Sequence, residues 1–425
     1  MEDKTIRSLL MKGRVGLEKE SLRIDSRGYM AQTPHPFPDD PNIVRDFSEN
    51  QTEINTPAAD SAGEALALLM QYDRKIKETI GGFDEPEYLW PFSNPPYIRN
   101  EHDIPIAQYY GDEAGKTLYR NYLAHRYGRY KMTFSGIHYN YSFSEELLRA
   151  EFALRGGDDW KAFKNQFYVS LAERMEIYGW LMVAVTAASP LLDSSFVAKE
   201  ILGETLFTGL ASVRCSELGY WNFFTPVLDY SNLEAYADSI LRYVDQKLIR
   251  YPSELYFPIR LKPEGKYDVY QLKSGGVGHI ELRMIDLNPL APAGVDLRDV
   301  QFAELLLIWA ASLEERRYDG NDHMAAVQNF KTAAHYDLKT VHIIMPGGES
   351  LLATDAALHI LQEIETFYSD FPDEVRQIIA FQKEKFVDGN KRYAWKVKEL
   401  FRDRFVEKGL EWLKDGQFGQ PRDDA

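Results

Sequence analysis

The chain has 425 residues, of which 44% are hydrophobic and 13% aromatic, enough for a sizeable buried core. Its formal net charge of -16 argues against a general binder of nucleic acid or anionic membranes, because most of its surface would repel a polyanion. A single cysteine, Cys215, excludes an intramolecular disulfide and a zinc site built from several cysteines. The longest apolar run, residues 180–188, is shorter than the roughly 18 residues of a membrane span, and the first residues do not resemble a signal peptide. We therefore expect a cytoplasmic protein.

The first predicted strand carries the most informative pair of residues. Apolar residues alternate along residues 14–24, so Glu18 and Glu20 are expected on one face of a strand. Two adjacent carboxylates repel each other unless a proton or a cation lies between them, and a divalent metal is the obvious cation. An isolated Glu-x-Glu is more often part of an exposed polar strand face. The other segments must therefore decide between such a face and a metal site.

Further strands and helices follow along the chain. Alternation predicts strands at residues 51–56, 131–143, 255–261 and 278–285. Helical spacing of apolar residues predicts helices within residues 66–80, 160–188, 300–313 and 357–367. Pro-, Asp- and Asn-rich loops are expected at residues 33–42 and 90–97, and a frayed tail at 417–425. Because no repeat, low-complexity tract or Gly/Ser linker divides the chain, the simplest prediction is one domain over residues 1–425.

The polar faces of these strands hold an unusual set of side chains. In residues 278–285, His279, Glu281 and Arg283 share one face, and the opposite face is apolar. For any one strand, the alternative is the solvent-facing side of a half-buried antiparallel sheet. Such faces usually favour Thr, Lys and Ser, whereas Glu, His, Asn, Arg and Tyr match metal, phosphate and carboxylate recognition.

A metal site is the chemistry that these faces suggest most directly. In residues 131–143, His138 and Asn140 lie together beside Gly136, which leaves room for a ligand. Carboxylate oxygens with an added imidazole suit Mg2+ or Mn2+. Spacing alone does not unite distant residues, but six of them could hold such cations: Glu18, Glu20, Asp46, Glu53, His138 and Glu281.

Seven separated segments carry a resemblance to a known family. They are GLEKESLRI, DFSENQTEINTP, TLYR, RYGRYKMTFSGIHYNYSF, SVRCSELGYWN, ELYFPIR and HIELRMIDLNPLAPAGVD. Together, and in the same order along the chain, they resemble bacterial glutamate-cysteine ligases. The resemblance runs from about residue 14 to about residue 309, and a less recognisable helical part follows from about residue 319.

The resemblance implies both a fold and a reaction. The fold is α+β: a curved, mainly antiparallel sheet forms a funnel-shaped active site with helices packed outside, as in glutamine synthetase. The reaction transfers the ATP gamma-phosphate to the side-chain carboxylate of L-glutamate, and the L-cysteine amine then attacks the acyl phosphate. The products are gamma-glutamylcysteine for glutathione biosynthesis, ADP and phosphate. Fixed cations, here Mg2+ or Mn2+, lower the barrier by neutralising the transferring phosphoryl oxygens.

The resemblance also implies roles for single residues. The six candidate metal ligands match the metal-binding positions of the family. Arg283 matches its phosphate-facing arginine, with Glu281 as the second catalytic residue and Arg260 as a further nucleotide contact. Arg214 matches the arginine associated with substrate glutamate, and Asn140 is expected close to it. The residues expected around the acceptor cysteine are Tyr119, Arg120, Tyr220 and Tyr256.

Two departures from the family pattern leave the acceptor open. Met132 stands where a polar residue is expected, and His279 stands where an aromatic residue is expected. The alternatives are therefore a related ligase that accepts another amine, a non-catalytic sensor of nucleotide or glutamate, and a metal-dependent hydrolase that acts without ATP. Cys215 is given no role, because the mechanism needs no enzyme thiol. Small-molecule substrates are the only partners predicted, and the oligomeric state is left open.

Overall fold

A seven-stranded sheet organises the fold in a computed structural model that describes residues 3–198 and 201–416. The strands of these residues are β1 (Arg14–Ile24), β2 (Ile43–Arg45), β3 (Gln51–Asn55), β4 (Tyr88–Leu89), β5 (Gly136–Ser142), β6 (Leu191–Asp193), β7 (Thr205–Phe207), β8 (Ile259–Lys262), β9 (His279–Asp286), β10 (His342–Ile344) and β11 (Ser350–Leu352). The main sheet has the order β2-β3-β1-β5-β9-β8, with antiparallel neighbours, and β4 pairs with β1. The tail predicted at 417–425 lies outside the described residues.

Helices occur before, between and after these strands. They are α1 (Lys4–Arg7), α2 (Ala62–Gly81), α3 (Ala114–Tyr127), α4 (Glu145–Arg155), α5 (Trp160–Tyr178), α6 (Trp180–Thr186), α7 (Leu233–Asp245), α8 (Val269–Gly275), α9 (Leu297–Ser312), α10 (Gly320–Ala333), α11 (Ala353–Phe367), α12 (Asp373–Val387), α13 (Tyr393–Phe401) and α14 (Phe405–Lys414). Side-chain caps fix several starts: Ser61 accepts a backbone N–H at the start of α2, and Asp159 does so for α5. Among the described residues, no helix combines the length and apolar character needed to cross a membrane.

Strand alternation separates a packed face of the sheet from a polar one. Leu17, Tyr139 and Leu282 are fully or almost fully buried in the main hydrophobic core, where helices α2, α5, α6 and α9 contact the strands. The residues next to each of these along its own strand, Glu18, His138 and Glu281, point to the opposite face. The predicted α+β class, with a mainly antiparallel sheet and outer helices, is therefore confirmed.

One of the four predicted helices is broken. The pattern predicted a helix within residues 160–188, but Gly179 separates α5 from α6. A Cβ at position 179 would lie 2.3 Å from the carbonyl oxygen of Met175, so the close approach of the backbone there requires glycine. The other three predicted helices are found as α2, α9 and α11.

Two predicted strands are shorter than their alternation suggested. Residues 131–133 form a turn of 3-10 helix, so only the second part of the 131–143 prediction pairs as β5. The 255–261 prediction begins four residues late, as β8, because Pro258 has no N–H to donate. The N–H of Tyr256 instead donates to Asn222 Oδ1 at 2.8 Å, so Tyr256 lies in a loop.

Candidate functional site

Acidic side chains from neighbouring strands surround one histidine on the polar face. Because β1 lies between β3 and β5, the register sets Glu18 opposite His138 and Glu20 opposite Glu53. Nδ1 of His138 is 3.0 Å from Glu18 Oε2 and 3.5 Å from Glu281 Oε1, and its Nε2 is 3.8 Å from Glu20 Oε1. Glu18, His138 and Glu281 each offer one ligand atom within 4.8 Å of the others. This spacing and these donor types suit a metal ion.

The remaining acids of this face carry more negative charge than their surroundings compensate. Burial, followed by the charges of Asp46, Glu18 and Glu20, raises the pKa of Glu53 to about 8. Burial and the charge of Asp46 likewise raise the pKa of Glu20 to about 6. Both shifts show carboxylates that repel one another, and a divalent cation among them would relieve that repulsion.

Glu18 and His138 respond to the same cluster in the opposite way. Burial and the charge of Glu281 oppose ionisation of Glu18, but the hydrogen bond from His138 and the charge of Lys262 lower its pKa to about 2. Burial also opposes protonation of His138, yet hydrogen bonds with Glu18 and Glu281 raise its pKa to about 9. A proton on His138 thus compensates part of the negative charge, and a metal ion bound to this ring would have to displace it.

Glu281 and Arg283 keep polar atoms that no described residue satisfies. Oε2 of Glu281 is buried without a hydrogen-bond partner, with Arg260 Nη1 at 3.8 Å and Arg283 Nε at 4.0 Å. Nη1 of Arg283 is also buried without a partner. Such groups are costly inside a protein unless a ligand uses them. Because one unsatisfied atom belongs to a carboxylate and the other to a guanidinium, we expect the ligand to be ionic.

Arg214 closes the site on the side of β5 and β9. Its Nη2 donates to the carbonyl oxygen of Arg283 at 2.8 Å, and its guanidinium lies against Gly136. A Cβ on Gly136 would come within 2.3 Å of Arg214 Cζ, so only glycine leaves space for this arginine. The N–H of Gly136 also donates to Glu20 Oε2 at 3.0 Å, which links Arg214 to the acidic cluster.

A cavity of about 110 Å³ opens between these groups. Its predicted wall residues are Glu20, Asp46, His138, Arg214, Tyr220, Tyr256 and Arg283. Apolar and sulfur-containing side chains that were not predicted complete the wall, among them Met132, Phe134, Cys215, Trp221, Met284 and Phe330. The cavity wall therefore combines charged and apolar side chains, as a site for a small amphipathic molecule needs.

Comparison with known proteins gives this arrangement a family. The family model described as glutamate-cysteine ligase matches residues 1–251 and 223–333. The chain belongs to the glutamate-cysteine ligase family. This confirms the resemblance seen in the sequence motifs.

Relatives within the family differ in length. The "Glutathione biosynthesis bifunctional protein GshAB" of Listeria monocytogenes is 35% identical over 97% of this chain and 55% of its own length. The "Glutamate--cysteine ligase" of a Janthinobacterium species is 31% identical over 91% of this chain and 81% of its own length. The chain thus spans about half the length of the bifunctional relatives that it matches.

Solved structures of family members share the fold. The glutamate-cysteine ligase of Francisella tularensis, crystallised in complex with AMP, superposes with a TM-score of 0.86 at 24% identity, covering 97% of this chain and 90% of that chain. The bifunctional glutathione synthetase of Pasteurella multocida gives a TM-score of 0.82 at 25% identity, covering 96% of this chain and 53% of that chain. These likenesses agree with the open sheet and outer helices described above.

Some residues expected from the glutamate-cysteine ligase family lie outside the cavity wall. Nδ2 of Asn140 donates to Glu18 Oε1 at 3.1 Å, so this amide contacts one of the candidate metal ligands. Tyr119 packs edge-on against Tyr251, with ring centroids 5.1 Å apart, and burial raises its pKa to about 12. Arg120 donates to backbone carbonyls of Arg45, Asp46 and Lys116, which fixes the segment before β3.

The tyrosines and the cysteine of the cavity wall are closely packed. The rings of Tyr220 and Tyr256 have centroids 4.1 Å apart, and burial raises the pKa of both hydroxyls well above the usual value. Sγ of Cys215 donates to the carbonyl oxygen of Met284 at 3.3 Å, and burial raises the pKa of this thiol to about 11. A neutral, hydrogen-bonded thiol is a poor nucleophile, in keeping with the absence of a role in the expected mechanism.

Sequence reasoning missed Lys262, which lies among the acids. Its Nζ is 3.0 Å from Glu18 Oε1 and 3.2 Å from Glu281 Oε1, and its side chain is 15% exposed. The strand predicted at residues 255–261 ended one residue too early. With the strand extended to Lys262, its alternation with Arg260 would have placed both cations on the polar face.

The residues present fit a hard divalent cation. All the predicted ligands except the imidazole of His138 offer carboxylate oxygens, which suit Mg2+ or Mn2+. The unpartnered Oε2 of Glu281 and the raised pKa of Glu53 are the two observations that favour a cation there. The site suits zinc less well, because Cys215 is the sole cysteine of the sequence and its Sγ donates to the carbonyl oxygen of Met284.

Proposed function

We propose that the chain is an ATP-dependent ligase that joins the gamma-carboxylate of L-glutamate to the amine of L-cysteine. A gamma-glutamyl phosphate would form first, and attack by the amine would give gamma-glutamylcysteine and phosphate. The observation that carries this proposal is the buried cluster of Glu18, His138 and Glu281 beside the unsatisfied guanidinium of Arg283. A carboxylate that attacks a triphosphate brings like charges together, and such a site compensates them.

Each part of the site has a place in this proposal. Glu18, Glu20, Asp46, Glu53, His138 and Glu281 would hold Mg2+ or Mn2+, which supplies positive charge to the phosphate oxygens. Arg283 and Arg260 would contact phosphate oxygens, because a guanidinium stays charged and offers several donors. Arg214, held by the carbonyl of Arg283, would bind the alpha-carboxylate of glutamate at the cavity wall. Its fixed position would leave the gamma-carboxylate free to react.

The acceptor amine would lie beside the aromatic and sulfur-containing residues of the cavity wall. Tyr220 and Tyr256 form part of that wall, and Met132 and Met284 add polarizable surface that suits a small thiol side chain. Tyr119 and Arg120 would support this side from behind, Tyr119 through its packing and Arg120 through its carbonyl contacts.

A ligase for another amine is a second candidate, and Met132 favours it. This residue is buried in the cavity wall, where the family pattern suggests a polar side chain. An apolar wall discriminates between side chains by only about 1 to 3 kcal/mol per methylene. Acceptors of similar size, such as 2-aminobutyrate, would then compete with cysteine.

Two further proposals concern the whole chain. Residues 1–425 would form one catalytic domain with a helical part from about residue 319, since the main hydrophobic core contains residues from Ile6 to Phe386. We also propose a cytoplasmic location, where ATP and reduced cysteine are available.

ADP production tests enzyme class and acceptor together. The purified protein is given ATP, Mg2+ and L-glutamate, and ADP is measured with L-cysteine, 2-aminobutyrate and a panel of other small amines. We expect ADP release that depends on both glutamate and cysteine. Faster release with another amine would favour the second candidate. Nucleotide binding without ADP release would favour a sensor. Hydrolysis of a substrate in the absence of ATP would favour a metal-dependent hydrolase.

A further inference from the structure

Lys262 shares its two partners with the candidate metal group. It is the last residue of β8, the strand at the edge of the sheet, and its side chain points into the acidic cluster. Its Nζ contacts Glu18 Oε1 at 3.0 Å and Glu281 Oε1 at 3.2 Å. These same carboxylates, with His138, are the residues that could hold a metal ion. One pair of carboxylates is therefore available to two different cations.

The carboxylate of Glu281 already has several basic side chains as neighbours. Three cationic side chains and one imidazole lie within 4.0 Å of it: Lys262 at 3.2 Å, Arg260 at 3.8 Å, Arg283 at 4.0 Å and His138 at 3.5 Å. These cations would repel a divalent cation placed beside Glu281, and the repulsion would fall if one of them moved away.

Lys262 is better suited to move than its neighbours. Arg260 is tied to the carbonyl oxygen of Leu255 at 3.1 Å, and its guanidinium lies over the ring of Tyr267. The hydrogen bonds of the Lys262 ammonium within the described residues are those with Glu18 and Glu281. A lysine carries its charge on a flexible four-carbon stem, so the ammonium can leave while the backbone stays in the sheet.

We propose that Lys262 is an exchangeable counter-ion, which holds Glu18 and Glu281 together until a divalent cation binds and then donates to a nucleotide phosphate. Its first contacts keep the two carboxylates at the spacing that the cation needs. Its second contact would place a positive charge on the phosphate at the time when the cation arrives. The phosphate contact rests on the proposed ligase function, whereas the exchange with the cation does not.

The exchange predicts a gain of metal affinity when the charge of Lys262 is removed. Mn2+ is titrated without nucleotide into the wild type, Lys262→Met and Lys262→Arg, and free Mn2+ is followed by electron paramagnetic resonance. We expect Lys262→Met to bind Mn2+ more tightly by on the order of tenfold, because a competing cation is gone. Lys262→Arg keeps the charge and should stay close to the wild type. Unchanged or weaker binding in Lys262→Met would overturn the proposal, as would a wild type that binds no Mn2+.

Lys19→Met is a matched control for the loss of a buried lysine. Lys19 lies on β1 between Glu18 and Glu20 but faces the helices, where its Nζ is 2.6 Å from Asp73 Oδ1. Lys77 remains as a partner of Asp73 at 2.6 Å. This variant is expected to lose stability without any change in Mn2+ affinity. Equal gains in both variants would show a general electrostatic effect and would contradict the specific exchange.

A measurement on the wild type keeps the proposal testable if Lys262→Met does not fold. Lysines are acetylated with acetic anhydride, and the labelling of Lys262 is read by mass spectrometry. We expect several-fold faster labelling when Mn2+ is added and slower labelling again when ADP follows. Labelling that ignores Mn2+ would refute the exchange. If labelling rises with Mn2+, ADP gives no protection and the protein lacks ligase activity, the exchange stands while the proposed function and the phosphate contact fail.

Discussion

Buried charge occurs in two forms in this protein. In the framework outside the polar face of the sheet it comes as matched pairs: Lys385 with Asp299 at 2.8 Å, Lys19 with Asp73 at 2.6 Å and Arg23 with Glu87 at 2.6 Å. On the polar face of the sheet, by contrast, burial and then the charges of nearby carboxylates raise the pKa of Glu53 to about 8. The two charges of each framework pair compensate each other, whereas Glu20 and Glu53 are buried close to other carboxylates.

The difference shows which charges serve folding and which serve binding. A matched buried pair with further hydrogen bonds is tolerated, and Lys385 Nζ also donates to the carbonyl oxygen of Val185 at 2.8 Å. Unbalanced acids cost stability and are worth keeping only if a ligand uses them. A bound cation is thus expected to stabilise the site, whereas it should not change the stability of the framework pairs.

The largest expected effect comes from changing the site itself. Glu281→Gln removes a candidate metal ligand, and Arg283→Ala removes the unsatisfied guanidinium, so each should lower glutamate-dependent ADP production roughly 10³-fold or more. Glutamate-dependent ADP formation at saturating ATP is the measurement. Glu304→Gln, which neutralises a buried acid on the packed side, is the matched control and should keep activity. Full activity in both site variants would show that these residues lie outside the reacting centre.

Breaking a framework pair should affect stability and leave the site alone. Lys385→Met leaves Asp299 buried beside the neutral amide of Gln382, at 2.9 Å, and the hydroxyl of Tyr393, which should cost about 3 to 5 kcal/mol of unfolding free energy. Urea unfolding measures this cost, and Mn2+ titration of the folded variant should give the wild-type affinity. A large change in Mn2+ affinity would mean that framework and site charges are coupled, against the comparison drawn here.

Glu304 offers an intermediate case, an acid without a cation on the packed side. Burial raises its pKa to about 7 from a usual value near 4.5, although Tyr141 Oη donates to it at 3.4 Å. A raised folded-state pKa means that the stability contribution is complete below about pH 4.5 and is lost as pH rises through 7. The wild type should thus lose up to about 3 kcal/mol over this range, and Glu304→Gln should not.

Unfolding free energies at pH 5 and pH 8 measure this difference. The advantage of Glu304→Gln over the wild type should be larger at pH 8, since other groups titrate alike in both proteins and cancel. An advantage that does not change with pH would mean that Glu304 is not protonated in the folded protein. The contrast between neutral and ionised buried acids would then need revision.

The sequence predicted the strands of the site better than their pairing. Alternation located β1 at its observed bounds, because a half-buried strand must alternate. That Glu18 lies opposite His138 depends on the register between strands more than 100 residues apart, which no local pattern encodes. Only the family motifs placed these residues together before the fold was known.

The errors also have local physical causes. The pattern around Tyr256 predicted a strand, but Pro258 has no N–H and the N–H of Tyr256 donates to Asn222 Oδ1, so a loop forms there. Ending that strand at residue 261 hid Lys262. Arg120 follows Tyr119 in one motif, and a helix turns successive side chains to different sides, so its guanidinium contacts backbone carbonyls. Its place near the acceptor stays a prediction.

The smallest expected effect concerns the acceptor side of the cavity. Tyr256→Phe removes one hydroxyl and keeps the ring against Tyr220, so the loss should be about 1 kcal/mol, a several-fold rise in the KM for cysteine with little change in kcat. Tyr139→Phe is the control, because Tyr139 is also fully buried but lies on the packed face, away from the cavity. If both variants raise the KM for cysteine equally, the effect reflects general loosening of the sheet. A larger effect on kcat than on KM would place the Tyr256 hydroxyl near the reacting amine. Tyr256 would then belong with the charged residues that act on the reaction and not only with those that bind the acceptor.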